Sequence, residues 1–324
     1  MNETPRSVLI GAGGTGAAFA AVMSLRRHWD SNVRVVVMDT NPARLVAASV
    51  LADACETIPP FSDPRAAEAV CAAVARHSIS TYLPVFDSEV VLAARLREEG
   101  RLPADVRVLA PPATSARICE DKLLTYRWLT EQGIATPFTS HLAAGVSPGE
   151  WFLKRRVGYG SRGARRIVFG GFDELPPVEP QEWVVQEVCC GPEVTLDVFF
   201  SLPDGRTYVV CRERLEVKAG VCVKARLFHD TKLAALAAKV AQGLKLDGVS
   251  CMQVMRRDGD WVVTDINPRP GGGTAMSAPL GIDLLAAAFA HTWGEDPWCF
   301  LPTLDGETFV VRQWVDLVTA RKPC

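Results

Sequence analysis

Several features are missing from this sequence of 324 residues, and each absence removes a class of function. There is no basic block: Lys and Arg total 35 against 37 Asp and Glu, a net charge of -2. That argues against a general nucleic-acid or membrane-surface binder. The longest apolar stretches, around Ala17–Leu25 and Leu284–Ala290, fall far short of the ~20 residues a membrane helix needs. The ten cysteines include no Cys-x-x-Cys pair, and adjacent Cys189 and Cys190 lack metal-ligand spacing. Neither a structural zinc nor a disulfide framework is expected, and the cysteines read as small buried hydrophobes. The five histidines are scattered singly and none is assigned a role. Met-Asn-Glu-Thr-Pro-Arg runs into a strand with no visible signal peptide, so a cytoplasmic location is expected.

What is present is a large core. Hydrophobic residues make up 48% of the chain, and the length suits about two domains or one large α/β unit. The first third alternates strands (Ser7–Ile10, Val33–Met38, Thr81–Val85, Val106–Leu109) with helices (to Arg27, Ala66–His77, Asp87–Glu99). Such alternation implies a parallel sheet with right-handed crossovers. Pro111-Pro112 ends it. One helix is then expected over Ser115–Gln132, followed by a β-rich α+β region with a helix around Leu233–Leu244. Within that region Cys251–Met255 and Trp261–Ile266 should form a hairpin around Asp258-Gly259.

Four motifs carry chemistry. Gly11-Ala12-Gly13-Gly14-Thr15-Gly16 lies between a strand and a helix, and Asp39 follows Gly16 by 23 residues. This pattern holds a dinucleotide pyrophosphate on a helix N-terminus and a ribose on the acid. Alone it would support an NAD(P)-dependent oxidoreductase, although any strand turning tightly into its helix needs similar glycines. Next, Lys154 precedes Gly158, Gly160, Ser161 and Gly163, a turn whose amides can approach an anion. Both flanks are strands and Gly-Lys-Ser/Thr is absent, so this is not a Walker loop. The third, Val184 to Asp197, is a strand, a Gly-Pro turn and a strand. It can offer backbone groups at 187–189 to a base edge and Glu193 to ribose hydroxyls, though any hairpin with a surface Glu would look alike.

The fourth motif is the most specific: Gln253, then Asp265-Ile266-Asn267-Pro268-Arg269-Pro270 and Gly271 to Gly273. Alternation puts Asp265 and Asn267 on one strand face, with Trp261 and Val263 expected on the same face. A hairpin centred on Gly259 pairs residue 253 with 265. Gln253, Asp265 and Asn267 would then form a cluster of hard oxygens of the kind Mg²⁺ selects. Arg269 could hold a planar carboxylate or phosphate. Asp39, Asp87 and Glu89, at the C-terminal ends of N-terminal strands, are candidates to receive an amino group.

In this order the motifs resemble the ATP-grasp superfamily. The likeness is to its carboxylate-amine ligase branch, similar to the carbamoyl-phosphate synthetase large chain. Asp121-Lys122 opening a helix, Arg212-Glu213-Arg214 and Lys218-Ala219-Gly220 sit at matching places. The resemblance implies an α/β fold. Its parts would be a Rossmann-like domain over 1–112, a small lid over 113–185 and a C-terminal ATP-grasp domain over 186–324. It implies ATP-dependent joining of an amino-acid-type carboxylate to an amine. Lys122 and Lys154 would contact ATP phosphates under a loop including Gly160 and Ser161. Gln186, Glu187 and Cys189 would read adenine, and Glu193 would bind ribose. Gln253, Asp265 and Asn267 would hold Mg²⁺, while Lys154 and Arg269 would be catalytic. Partners would be ATP and small-molecule carboxylate and amine substrates, with no nucleic acid or membrane; a homodimer is left open. Asp265 stands where most members have Glu, and Gln253 replaces a common acidic ligand, which lowers the charge of the metal site.

Overall fold

The computed structural model describes residues 6–142, 147–158, 163–170, 179–218, 220–313 and 315–320. The N-terminal part is a parallel sheet in the order β3-β2-β1-β4-β5. Its strands are β1 (Arg6–Ile10), β2 (Val33–Asp39), β3 (Ala54–Thr57), β4 (Thr81–Leu83) and β5 (Arg107–Val108). The helices between them are α1 (Gly16–His28), α2 (Ala66–Arg76) and α3 (Asp87–Glu98). Val8 to Ile10 and Val35 to Met38 are fully buried, because a parallel strand between two helical layers has no solvent face. Strand order reverses between β1 and β4, and the crevice at their C-terminal ends is where such sheets bind ligands.

Two antiparallel sheets follow. The smaller has the order β6-β9-β7-β8, from Thr139–His141 (β6), Gly149–Arg155 (β7), Arg165–Phe169 (β8) and Trp183–Glu187 (β9). The larger is β14-β13-β10-β11-β12-β15. It comprises β10 (Cys190–Phe200), β11 (Thr207–Lys218), β12 (Val221–Phe228), β13 (Gly248–Arg257), β14 (Asp260–Asn267) and β15 (Thr308–Val311). The expected α/β class is therefore the observed one.

Between the sheets the single helix expected over Ser115–Gln132 is two, α4 (Ala113–Glu120) and α5 (Lys122–Glu131). Asp121 separates them in extended conformation and accepts the Leu123 and Leu124 amides. Its carboxylate also holds Arg156, 2.7 Å away. An N-cap inside a helical run restarts the helix in a new direction. Cys119, Leu129 and Ile134 pack under the six-stranded sheet rather than the four-stranded one. A boundary at 185/186 falls inside β9.

The large sheet is covered on both faces. On one lies α6 (Thr231–Gly243), inserting Leu233, Ala237 and Val240. On the other lies α7 (Leu284–Trp293), whose residues 284–290 are all buried. That explains the apolar run noted in the sequence: a helix wedged between two layers is hydrophobic all round. Its neighbours are Phe199 and Val249 of the large sheet and Ala21 and Leu25 of α1, so one core joins both parts of the chain. No helix among the described residues is long and apolar enough to cross a membrane.

The hairpin β13–β14 turns at Asp258-Gly259, both with positive φ (51° and 91°), the geometry that Asp-Gly supplies. Its register holds a correction. Next to the turn Arg257 pairs with Asp260 and Val254 with Val263, which by itself would set Gln253 opposite Thr264. An irregularity at that point shifts the register, and Gln253 pairs with Asp265 after all. The extra residue also changes the face. Val263 and Ile266 pack in the α6 core, while Asp265 and Asn267 face the other way, into the cleft described next. The expectation that Trp261 and Val263 share the face of Asp265 is therefore wrong.

Candidate active site

A cavity of about 710 Å³ opens where the three sheets meet. It is lined by Lys122, Lys154, Gln186, Glu187, Cys189, Glu193, Gln253, Asp265, Asn267 and Arg269. Gly160 and Ser161 lie outside the described residues. The long-range arrangement thus gathers every other residue singled out for the site. The glycine at the start of α1, Gly16, and the turn after β4, residues 85–87, close its far wall.

The two lysines come from opposite sides. Lys122, at the first position of α5, donates its Nζ to the Gly158 carbonyl at 3.2 Å. Lys154, on β7, lies 3.5 Å from the Thr264 carbonyl, the residue at the strand irregularity. Burial lowers the Lys154 pKa, with Asp265 the largest opposing influence and Lys122 adding repulsion. Seven Lys and Arg side chains against four Asp and Glu line the cavity, an excess suited to a polyanion.

At the other end the connector between β9 and β10 supplies mainly backbone. The Glu187 amide is already spent on the Phe138 carbonyl at 2.9 Å. Its carboxylate takes the Phe138 amide and Arg257. Gln186 spends one amide hydrogen on Thr139 Oγ1 at 3.0 Å. Glu193 is paired with Arg214, so a ribose there would compete with a guanidinium. Arg214 was seen in the sequence only as part of a basic strand; the pairing across β10 and β11 gives no sequence signal.

Three oxygen-bearing side chains line one side of the cleft, one of them, Asn267 Oδ1, accepting from Arg269 Nη2 at 3.3 Å. Gln253 and Asp265 are cross-strand partners and Asn267 is next on the same face. Asp265 has no ion-pair partner among the described residues, and its hydrogen bond from Asn267 Nδ2 is long, at 3.4 Å. A cleft-facing carboxylate with oxygen neighbours is a setting for Mg²⁺. Arg269 grips Asp87 in two-point fashion, Nε to Oδ1 and Nη2 to Oδ2, both 2.7 Å. Burial, the largest single influence, lowers the Arg269 pKa, but the charge and hydrogen bonds of Asp87, with smaller contributions from Cys251 and Asp265, together raise it.

In the Gly11–Gly16 loop, the Gly11 and Gly14 positions are filled by the protein's own acids. The Gly14 amide donates to Asp39 Oδ2 at 2.8 Å, and Asp39 Oδ1 takes the Asn41 amide and side chain. Glu89, fully buried, lies so close to Gly11 that a Cβ there would sit 1.5 Å from its Oε1. The acids Asp39 and Glu89 thus fill the loop at Gly14 and Gly11, which weakens the case for dinucleotide binding there, while Thr15 and Gly16 border the cavity. Of the three candidates for an amino group, Asp39 and Glu89 are engaged away from the cavity, whereas Asp87 lines it, paired with Arg269.

Residues 119–273 match the family model described as an ATP-grasp domain. No curated protein sequence matches the chain. Among solved structures, pyruvate carboxylase of Rhizobium etli aligns at TM-score 0.73 and 16% identity, covering 94% of this chain and 31% of that one. The chain thus spans less than a third of that enzyme. Biotin carboxylase of Campylobacter jejuni, in an ATP-analogue complex, aligns at 0.71 and 16%, covering 94% and 74%. L-amino acid ligase of Bacillus licheniformis aligns at 0.68 and 17%, covering 90% and 75%. These likenesses are of fold, and the segment that matches the ATP-grasp family model, residues 119 to 273, supplies most of the cleft wall.

Proposed function

We propose that the protein is an ATP-dependent ligase that joins a carboxylate to an amine through an acyl-phosphate. The observation that carries this reading is the juxtaposition in one cleft of two lysines, an Asp265 with no ion-pair partner among the described residues, and an arginine already holding a carboxylate. Lys122 and Lys154 would hold ATP phosphates, with Gly160 and Ser161 in the loop above them. The Glu187 carbonyl and the Cys189 amide, with Gln186, would meet adenine, and Glu193 would exchange Arg214 for ribose hydroxyls. Gln253, Asp265 and Asn267 would hold Mg²⁺, which when bound neutralises phosphate charge.

A carboxylate does not react with an amine unaided, because oxide is a poor leaving group. In the proposed reaction a carboxylate oxygen bonds to the terminal phosphorus and ADP leaves. The amine nitrogen then attacks the acyl carbon, phosphate leaves with that oxygen, and the amine loses a proton. Lys154 and Arg269 neutralise charge at fixed positions, and positioning does most of the work. Arg269 suits the role because a guanidinium matches a planar anion at two points. An oxidoreductase is not supported, given the carboxylates filling the Gly11 loop.

The test is product analysis with MgATP and pairs of carboxylates and amines. ADP and phosphate should form in equal amounts with the amide, and ¹⁸O in the carboxylate should appear in the phosphate. AMP as the stoichiometric product, or phosphate without label, would sink the reading.

A further inference from the structure

We propose that the carboxylate substrate carries a second anionic group, and that Arg312 binds it on the β15 side of the cleft, across the sheet from Asp265. This rests on the ligase reading and adds to it a specificity-determining residue from outside the segment that matches the family model.

Arg312 directly follows β15, an edge strand whose side chains alternate between two environments. Phe309 and Val311 face outward, 67% and 58% exposed. Val310 faces inward and packs on the core that joins both parts of the chain. Arg312 lies on the Val310 face, because its amide extends the ladder by donating to the Val223 carbonyl at 2.8 Å. Its Nη1 then reaches the Gly272 carbonyl at 2.8 Å. Gly272, Arg212 and Cys222 all line the cavity, and both side chains lie within electrostatic reach of Arg312. The guanidinium therefore stands at the cavity rim.

Its charge has no answer there. Arg212, Arg214 and Arg269 each hold a carboxylate, from Asp197, Glu193 and Asp87. Arg312 has no ion-pair partner among the described residues and holds only a carbonyl. Asp197 has nothing left to offer it, since its two oxygens take Arg212 Nε, Arg212 Nη2 and the Thr274 hydroxyl. Burial lowers the Arg312 pKa and the nearby Arg212 charge adds repulsion. Two neighbouring guanidinium groups with one carboxylate between them are a setting for an oxyanion, which a guanidinium can hold at two points. The Arg312 tip meets the chain at Gly272, three residues from Arg269, a span of at most about 10 Å. A dianion of a few carbons can put one end on Arg269 and the other on Arg312. A monoanion leaves Arg312 without a partner.

Calorimetry on the full chain saturated with MgADP tests this. The probes are the linear dicarboxylates from succinate to pimelate and 3-phosphonopropionate. Each is matched with the acid that has a methyl in place of the second anion, such as glutarate with pentanoate. The wild-type protein should bind at least one dianion more tightly than its partner by about 10-fold or more. Whether that dianion is a dicarboxylate or the phosphonate identifies the second group. In Arg312→Gln the preference should fall below about threefold, with the monoanion changed by less than about twofold. Gln can still donate to the Gly272 carbonyl, so MgADP affinity and melting temperature should hold. Arg312→Lys keeps a charge and should bind the dianion more tightly than Arg312→Gln does. Equal binding of dianion and monoanion by the wild type overturns the proposal, as does a preference that survives Arg312→Gln. So does equal weakening of both acids, the mark of a merely structural role, or equal dianion binding by the two variants. Failure of every dianion to bind a protein that still binds MgADP overturns it as well. Absence of MgADP binding is the separate result that overturns the ligase reading, and the proposal falls with it.

Discussion

Two of the glycine-rich segments of the chain, Gly11–Gly16 and Gly271–Gly273, look equally able to cradle a ligand, and they behave differently. In the first, the acids point at the glycines: Asp39 caps the Gly14 amide and Glu89 fills the space a side chain at Gly11 would need. In the second, buried Arg212 lies under Gly273, 2.4 Å from where a Cβ would be, and is paired with Asp197. There the protein's own charge supports the loop from below, while Asp265, Asn267 and Arg269 face the cavity. Glycine spacing reports that something approaches the backbone closely. Whether that something is a ligand or a side chain depends on which way the neighbouring charges point.

The comparison can be broken most forcefully at Asp265. Asp265→Ala should lower Mg²⁺-dependent ATP turnover by at least about 100-fold while the melting temperature changes little, since an open catalytic site is not a structural cage. Near-normal turnover at ordinary Mg²⁺ concentrations would mean that the second segment is as self-contained as the first. Gly11→Ala should do the opposite. The new methyl meets a buried carboxyl that cannot move aside, so stability should fall by about 1–3 kcal/mol, measurable by urea unfolding, with MgADP affinity of the folded fraction retained.

A smaller effect separates nucleotides. MgADP at about 100 times its dissociation constant should stabilise the fold by about 2.7 kcal/mol, a shift of several degrees in a thermal scan, whereas NADH should give none. A shift from NADH alone would reinstate the first segment as the binding site.

The finest test concerns Glu89, whose pKa burial pushes up to about 8 against the hydrogen bonds from Tyr82 and Val85. Its folded pKa exceeds the unfolded value of 4.5, so the folded state holds the extra proton between those values. Stability should therefore fall as pH rises from about 4.5 to 8 and level off above. Glu89→Gln cannot ionise and loses the acceptor for one of those bonds. It should be less stable than the wild type at pH 6, with the gap narrowing by pH 9 in equilibrium unfolding. A constant gap would show that Glu89 stays charged in the fold.

Much of this architecture was legible in the residues alone. Strand-helix alternation up to Pro111 follows from local apolar periodicity, and the two-residue Asp258-Gly259 turn from the positive φ that this dipeptide accepts. The donor set Gln253, Asp265 and Asn267 could be named because hairpin pairing is nearly arithmetic. Even there the agreement was partly fortunate. The turn sets a register one residue short, and an extra residue near Thr264 restores the pairing while reversing the face of Val263. The break at Asp121 was missed because a capping Asp and a helical Asp look alike until Arg156 arrives from 35 positions away. β3, β6 and β15 were missed because each is a short edge strand held by a single neighbour rather than by a local apolar pattern.

Local propensity and side-chain period, which act over a few residues, thus determined the elements, the class of fold and the set of polar groups available to a site. The destination of each charge was decided only by tertiary structure. Arg269 meets Asp87 across 182 positions, Glu193 meets Arg214 on the next strand, and Glu89 turns inward beneath Gly11. A buried ion takes whichever partner the packing of distant elements brings within about 3 Å, because leaving it unpaired costs more than any local preference can repay.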